Sequence, residues 1–197
     1  RTVRARGIFM EHAAPEGTGA MSAVLGLDAG VIEDVLRDRE GVSIANYNCP
    51  GQIVITGEAK AVDEAGNALK EAGARRVLPL KVSGPFHSPM MQPAGEELAK
   101  VFAGVSMNPL KLPYVANINA EVVTDCGKIE GLLVAQVSGS VRWQQSVETM
   151  IREGVDTFVE IGPGKTLTGF LRKIDRNVKA YHIGSWEEAV QVCEELK

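Results

Sequence analysis

The sequence predicts an α/β fold into which a smaller α+β unit is inserted. A length of 197 residues is enough for one domain that carries a second, smaller one. Residues 19–80 show the order strand, helix, strand, strand, helix, strand, and the last third of the chain alternates strands with helices. Hydrophobic residues make up 45% and charged residues 23%, which is the usual range of a globular protein with a packed core.

The first segment predicts a helix over residues 1–16. Val3, Gly7, Met10 and Ala14 recur at helical spacing, and charged residues stand between them. No residue that could cap a helix precedes this segment, so it looks like a helix that has been cut into. We therefore expect that the chain lacks an upstream part and that this helix belongs to a large subdomain.

Residues 17–81 predict a compact small subdomain. Apolar runs indicate its strands, apolar residues at helical spacing indicate its helices, and Cys49-Pro50-Gly51 predicts a turn between the two middle strands. Asp28 is a candidate N-cap, and Gly73 is a helix stop signal. This order is the split βαβ, ferredoxin-like arrangement. The predicted strands are 19–27, 42–48, 52–57 and 75–80, the predicted helices are 29–40 and 59–73, and the predicted inward residues of the helices are Val31, Ile32, Val35, Leu36, Val62, Ala65, Leu69 and Ala72.

Residues 82–197 predict the C-terminal part of a large α/β subdomain. Strands and helices follow one another here, and DTFVEIG has the continuous apolar character of a strand buried in a parallel sheet. The predicted helices are 89–104, 129–138, 143–154, 163–174 and 186–197, the predicted strands are 112–119, 156–162 and 180–184, and a short hairpin is predicted over 121–128.

Charge and composition exclude several classes of function. The formal net charge is −4 and no basic block occurs, so we expect no nucleic acid partner. No run of about 18 apolar residues occurs, so we expect no membrane span. Cys49, Cys126 and Cys193 are an odd and scattered set without CxxC spacing, which favours a reduced, cytoplasmic protein and no bound metal.

One histidine stands out in the stretch VSGPFHSPMM. Pro85 and Pro89 stiffen the loop around His87, and the strand end before it is where open α/β sheets bind their ligands. A fixed imidazole there could act as a general base, because its pKa is near working pH. The alternative is a histidine that ties the loop with one hydrogen bond. His12 fits a solvated helix end, and His182 fits a structural or surface position in a strand.

A histidine base needs a nucleophile, and the sequence offers none in a recognisable context. A nucleophilic serine on a sharp turn from strand to helix would read G-x-S-x-G. No serine in the sequence matches this pattern, and no cysteine has a suitable context. If His87 is catalytic, its nucleophile lies on residues that this chain does not contain.

Three motifs form a specific combination: NYNCPGQIVITG (46–57), GPFHSPMM (84–91) and EIGPGKTL (160–167). RGIFM, PEGTGAMSAVLGLD and VRWQQSV accompany them in a matching order. With these segments the chain resembles the malonyl-CoA:acyl carrier protein transacylase family over most of its length. The resemblance implies an α/β-hydrolase-like large subdomain and a ferredoxin-like small subdomain.

The resemblance also implies ping-pong acyl transfer. A serine in a G-H-S-x-G elbow attacks the malonyl thioester, and the phosphopantetheine thiol of acyl carrier protein then takes the malonyl group. Malonyl-CoA is a substrate, and no cofactor is implied. This serine and a GQGSQ-like loop of the oxyanion hole are absent from the sequence. We therefore expect the missing N-terminal half of the same enzyme as a partner, and no transfer by this chain alone.

Three residues receive roles from the resemblance. His87 matches the family's base, which takes the serine proton and then activates the incoming thiol. Arg6 matches the arginine that holds the malonyl carboxylate through a bidentate ion pair. Gln136 is a candidate for the substrate-binding site and matches a glutamine beside the histidine, where a carbonyl from this neighbourhood would orient the imidazole. Without the resemblance, Arg6 reads as a solvated helix arginine and Gln136 as a helix-end amide.

Two further residues are candidates for substrate binding. Asn117 matches a segment that borders the family's cleft, and a side chain that caps a turn is the open alternative. Phe86 precedes His87 at a position where related acyltransferase domains of polyketide synthases carry Phe with malonyl units and often Ser with methylmalonyl units. The resemblance therefore implies that the Phe86 ring crowds the α carbon of the substrate.

The implied macromolecular partner is acyl carrier protein, which is acidic in this family. A chain of net charge −4 needs a local basic face to attract it. Lys165, Arg172 and Lys173 are candidates for this face, and a solvated helix face is the open alternative. Two other functions also stay open: an acyltransferase domain of a polyketide synthase, and a non-catalytic module that docks the carrier protein.

Overall fold

The computed structural model of the chain describes residues 2–196. Residues 1 and 197, the outer ends of the predicted ranges 1–16 and 82–197, lie outside the described residues. Helices and strands alternate, so the predicted α/β class is confirmed. The helices are α1 (Thr2–His12), α2 (Ala29–Leu36), α3 (Ala59–Glu71), α4 (Gln92–Phe102), α5 (Ile129–Ser138), α6 (Trp143–Arg152), α7 (Thr166–Ile174) and α8 (Trp186–Glu195). The strands are β1 (Gly19–Leu25), β2 (Val42–Cys49), β3 (Gln52–Glu58), β4 (Arg76–Pro79), β5 (Tyr114–Val115), β6 (Val122–Val123), β7 (Thr157–Ile161) and β8 (Lys179–Ile183).

The first four strands form one antiparallel sheet with the order β2-β3-β1-β4, which we call the small sheet. The two central strands pair along their whole length, from Gly19 opposite Glu58 to Leu25 opposite Gln52. The hairpin between β2 and β3 turns at Gly51, whose φ of +71° is accessible to glycine without steric cost. The order of elements and this turn agree with the sequence prediction.

Helices α2 and α3 cover one face of the small sheet. Val24 and Ile55 from the sheet and Ile32 and Leu69 from the helices are completely buried there. Burial of each such side chain contributes about 1.5–3 kcal/mol to folding. Asp28 precedes α2 as predicted, but its side chain makes no capping hydrogen bond.

Two predicted inward positions of these helices are wrong. Val31 is 39% exposed, because α2 is only two turns long and its inward stripe runs through Ile32 and Leu36. Ala72 is exposed because it lies beyond Glu71, the last residue of α3.

A second core lies between α1, α4 and α5. Its buried members include Met10, Leu98 and Val137. Phe86 packs against this cluster and also against the other face of the small sheet, which includes Met21 and its neighbours on β1, β2 and β3. Phe86 therefore joins the small sheet to the three-helix core.

Strands β7 and β8 form a separate parallel pair, from Thr157 opposite Lys179 to Ile161 opposite Ile183. The predicted burial of β7 is wrong for this chain. The first four residues of β7 are only partly buried, and Ile161 is 78% exposed. Within residues 2–196, β7 pairs with β8 alone, so no strand is hydrogen-bonded to its other edge.

Two other predicted elements are shorter in the structure. The predicted strand 112–119 keeps only β5, because a backbone hydrogen bond of 2.8 Å from Ala120 N to Ala116 O closes a turn directly after it. The predicted helix 163–174 begins only at Thr166, because Gly162 and Gly164 have φ values of +141° and +84°, outside the right-handed helical region.

No helix within residues 2–196 combines the length and the apolar character that a membrane crossing requires.

Candidate active site

His87 lies in a tight loop between β4 and α4. Its φ is +60°, a left-handed conformation that costs about 1–2 kcal/mol for a residue with a Cβ atom. Two hydrogen bonds hold the loop: Ser88 Oγ donates to Pro85 O at 2.6 Å, and Met91 N donates to Ser88 O at 2.9 Å. Pro85 and Ser88 are both fully buried. A strained residue that its surroundings hold firmly is typical of a functional site.

The imidazole of His87 is anchored through one nitrogen. Nδ1 lies 3.0 Å from Gln136 O and 3.1 Å from Gly139 O. Carbonyl oxygens only accept hydrogen bonds, so Nδ1 must carry the hydrogen. In the neutral ring Nε2 then has a free lone pair, which is the nitrogen a general base uses.

The surroundings of His87 lower its pKa from the ordinary value of 6.5. Burial is the main cause, because it disfavours the charged imidazolium. The positive charge of Arg6 lowers the pKa further, whereas the hydrogen bonds to Gln136 O and Gly139 O act in the opposite direction. At neutral pH the imidazole is therefore uncharged and able to accept a proton.

Gln136 supports the site with both its backbone and its side chain. It lies near the end of α5, where its carbonyl contacts His87. Its side-chain Nε2 donates to Gly139 O at 2.9 Å and lies 3.4 Å from Ser140 O. The amide thus fixes the second carbonyl that holds the imidazole. Gly139 was not predicted from the sequence, since nothing in its local pattern indicates a long-range contact.

Arg6 is the charged group that the structure brings to His87. It projects from α1 and is half-buried, and burial lowers the pKa of its guanidinium. Among the described residues no carboxylate lies within 4.0 Å of it. A partly desolvated guanidinium without an internal partner is suited to bind an anionic group from outside.

The other two predicted substrate-binding residues differ in their placement. Phe86 is partly buried between two apolar clusters directly beside His87. Asn117 is exposed, and within the described part of the chain its hydrogen bond is through the backbone, where its carbonyl accepts from Arg142 N at 2.8 Å. The structure therefore brings Arg6, Phe86 and Gln136 to His87 but does not bring the Asn117 side chain into contact with it.

The remaining histidine of interest, His182, has a structural contact. Its Nε2 donates to Gly162 O at 2.9 Å, which fixes the glycine-rich loop before α7. The start of α7 is capped by Glu160, whose carboxylate accepts from Leu167 N, Thr168 N and Thr168 Oγ1 at 2.6–3.0 Å. Although partial burial opposes it, these bonds lower the pKa of Glu160.

The predicted basic face lies at the surface. Lys165, Arg172 and Lys173 are exposed on or next to α7, and Lys173 Nζ donates to Gln52 Oε1 at 3.3 Å. In the part of the chain that the structure describes, no group of three or more His, Cys, Asp or Glu residues could hold a metal ion.

Comparison of the sequence with known proteins finds a matching family model and similar proteins. Residues 1–191 match the family model described as acyl transferase domain. The malonyl CoA-acyl carrier protein transacylase of Bacillus subtilis (strain 168) is 44% identical over 200 residues, which cover 100% of this chain and 63% of that relative. The chain thus spans less than two thirds of the length of this curated relative.

Two solved structures are similar over almost the whole chain. An acyl carrier protein S-malonyltransferase from Vibrio cholerae has a TM-score of 0.94 and 40% identity, and the match covers 97% of this chain and 63% of that one. A malonyl-transacylase in complex with its type II polyketide acyl carrier protein has a TM-score of 0.95 and 39% identity, and the match covers 99% of this chain and 64% of the other.

Proposed function

Because the chain belongs to the acyl transferase domain family, we propose that it is part of a malonyl-CoA:acyl carrier protein transacylase. In this role it supplies the histidine base and the carboxylate-binding arginine for malonyl transfer from coenzyme A to the phosphopantetheine thiol. The observation that carries the proposal is His87, whose Nδ1 is bonded to two carbonyls so that Nε2 is free. The names of the similar proteins support the malonyl group and the carrier protein as substrates.

The proposal includes a division of the chain into two subdomains. Residues 17–81 form a ferredoxin-like small subdomain, supported by the strand order β2-β3-β1-β4. Residues 1–16 and 82–197 form part of an α/β-hydrolase-like large subdomain, supported by the parallel pair β7-β8 and by the high TM-scores.

In the first half-reaction the nucleophile is a serine hydroxyl on a residue outside this sequence. As its oxygen attacks the thioester carbon, its proton passes to Nε2 of His87. Gln136 O and Gly139 O hold the imidazolium by its Nδ1–H. The carbon–sulfur bond then breaks, the proton moves from Nε2 to the sulfur of coenzyme A, and the malonyl group stays on the serine as an ester.

The second half-reaction reverses these roles. The phosphopantetheine thiol gives its proton to Nε2, and its sulfur attacks the ester carbon. The carbon–oxygen bond breaks, and the proton returns from His87 to the serine oxygen. Neutral carbonyls stabilise an imidazolium less than a carboxylate would, which fits the lowered pKa of His87 and a base that releases its proton readily.

The substrate-binding roles follow from the surroundings of the base. Arg6 holds the free carboxylate of the malonyl group, since its half-buried guanidinium has two parallel N–H donors for this purpose. Phe86 limits the space beside the α carbon of the substrate, and its packing on both cores keeps the ring in place. Asn117 borders the cleft at its rim, and Gln136 acts on His87 rather than on the substrate.

The basic side chains of α7 are the proposed contact for an acidic carrier protein. Lys165 and Arg172 are exposed there, and neither forms a salt bridge within residues 2–196, so they could attract an acidic surface without breaking one. The cytoplasmic setting and the absence of a cofactor stay predictions.

A chimaera tests this function. It joins the chain to the part of the Bacillus subtilis relative that the match does not cover. We expect the chimaera to transfer malonyl groups from malonyl-CoA to carrier protein, and His87→Ala to lower kcat by about 10²–10⁴-fold. His12→Ala is the matched control, because His12 is exposed at the end of α1. A folded chimaera without transfer would refute the function, and an unchanged rate in His87→Ala would remove His87 as the base.

A further inference from the structure

A second connection joins the candidate site to the small sheet. After α5 the chain runs along the edge of β2, with a parallel bridge between Val141 and Asn46. The contacts are Ser140 Oγ to Ile44 O at 2.5 Å, Val141 N to Ala45 O at 2.7 Å, and Tyr47 N to Val141 O at 2.9 Å. Three hydrogen bonds therefore attach this short segment to one edge strand.

The attached segment begins directly after the carbonyl that holds the imidazole. Gly139 has φ of −100° and ψ of 156°, so its peptide has already left the α-helix. Helical hydrogen bonds therefore cannot fix the direction of Gly139 O. The supports that remain are the Gln136 amide on one side and the bridge to β2 on the other.

We propose that Ser140 is a positioning residue for the histidine base. Its hydroxyl bond to Ile44 O anchors the peptide that presents Gly139 O to His87 Nδ1. The catalytic meaning of this inference rests on the proposed function, but the geometry exists within this chain. The small sheet therefore supports His87 in two ways. Strand β2 anchors the peptide that carries the acceptor Gly139 O, and the sheet face with Met21 packs against Phe86, the residue before His87.

The effect of Ser140 on His87 has a defined direction. The bonds to Gln136 O and Gly139 O raise the pKa of His87, against the effect of burial and of Arg6. Loss of the Ser140 anchor leaves the Gln136 amide and the two backbone bonds to β2 in place but weakens the hold on Gly139 O. The pKa should therefore fall, and the hydrogen on Nδ1 should lose part of its preference over Nε2.

Nuclear magnetic resonance on this chain with isotope-labelled histidine tests the inference without any transfer assay. The chain has three histidines, so substitution of His12 and His182 assigns the signals. In the unchanged chain we expect His87 to hold its hydrogen on Nδ1. In Ser140→Ala we expect a lower His87 pKa, a mixture of the two tautomers, and about fivefold faster exchange of the Val141 amide. Ser140→Thr keeps a hydroxyl and should restore the original signals.

Ser146→Ala is the matched control. Ser146 Oγ also donates to a backbone carbonyl, that of Arg142 at 2.8 Å, but this bond lies within the first turn of α6. We expect it to cost similar stability and to leave the pKa and tautomer of His87 unchanged. In the chimaera, Ser140→Ala should lower kcat and shift the acidic limb of the pH–rate profile, with KM for malonyl-CoA unchanged.

Two results would overturn the inference. One is a Ser140→Ala chain whose His87 pKa and tautomer equal those of the unchanged chain. The other decides the matter even if Ser140→Ala does not fold: exchange of the Val141 and Tyr47 amides in the unchanged chain as fast as in an unstructured peptide. Failure of malonyl transfer in the chimaera would instead refute the proposed function and leave the effect of Ser140 on His87 measurable.

Discussion

At the scale of single residues, the properties of His87 depend on its backbone as much as on its imidazole. The left-handed φ of +60° directs the side chain toward the end of α5, where two carbonyls accept from Nδ1. The buried bond from Ser88 Oγ to Pro85 O maintains this conformation. These hydrogen bonds therefore offset the backbone strain, and the bonds to Nδ1 also orient the imidazole so that Nε2 stays free.

The lowered pKa of His87 should make the chain less stable in mild acid. The unfolded chain takes up a proton near pH 6.5, before the folded chain does, so the free energy of unfolding falls as the pH decreases through that value. We expect His87→Asn to lose less stability than the unchanged chain between about pH 7 and pH 5, because asparagine does not titrate and tolerates a left-handed backbone. Urea unfolding at both pH values measures this difference, with His12→Asn as the control. Equal losses in all three proteins would contradict the burial of a neutral His87.

The assignment of Arg6 has its own consequence. Arg6→Lys in the chimaera keeps the charge but loses the two-pronged geometry, so we expect kcat/KM for malonyl-CoA to fall about tenfold or more. Arg4→Lys is the control, since Arg4 is exposed on the same helix. Steady-state kinetics with both variants decides the point, and an unchanged kcat/KM in Arg6→Lys would remove Arg6 from the site.

At the scale of elements, the start of β1 limits where the His87 loop can lie. A Cβ atom on Gly19 would lie 2.6 Å from Pro85 Cβ, and closer still to the Cγ and Cδ atoms of that ring. We expect Gly19→Ala to destabilise the chain by about 1–3 kcal/mol, because buried Pro85 has to move. Gly169→Ala should instead stabilise it by about 0.5–1 kcal/mol, since Gly169 is inside α7 with nothing within 4 Å of an added Cβ. Urea denaturation compares the two, and a Gly19→Ala variant as stable as the unchanged chain would show that the contact is not tight.

The elements that the sequence predicts well are those with a regular hydrophobic period. Helix α3 is an example: buried Val62, Ala65 and Leu69 recur at helical spacing, and the helix begins at the predicted residue 59 and ends within two residues of the predicted end at 73. The predicted strand 112–119 fails because a single turn hydrogen bond at Ala120, itself at φ +60°, decides its end. The apolar character of Val159 and Ile161 indicates a strand but does not tell which elements cover it.

The sequence predicts only part of the candidate site, because some of its contacts join residues that are far apart in the chain. His87 and Arg6 belong to motifs, so their residue types and neighbours identify them. The contact between His87 and Gly139 O spans 52 residues, and that between Ser140 and Ile44 spans 96. Such contacts depend on how the sheet and helices pack, so no local sequence pattern predicts them.

At the scale of the whole molecule, the site is assembled from parts that lie far apart in the chain. Helix α1 contributes Arg6, the loop after β4 contributes His87, and the end of α5 contributes the acceptors. Strand β2 accepts a hydrogen bond from Ser140, the residue next to the acceptor Gly139. The chain spans 63% of the length of its Bacillus subtilis relative, and its serines include none in a nucleophile elbow. We therefore propose a division of labour, in which this chain supplies the base and the carboxylate anchor and the nucleophile lies on a residue that it does not contain.

The most direct test is to find where the malonyl group attaches. The chain alone, the chimaera and its His87→Ala variant are each incubated with malonyl-CoA, and intact mass followed by peptide mapping locates any acyl group. We expect no acylation of the chain alone, rapid acylation of the chimaera at a serine outside these 197 residues, and slow acylation of the His87→Ala variant at that same serine. A malonyl ester on a residue of this chain, or acylation of the variant at the full rate, would contradict this division of labour.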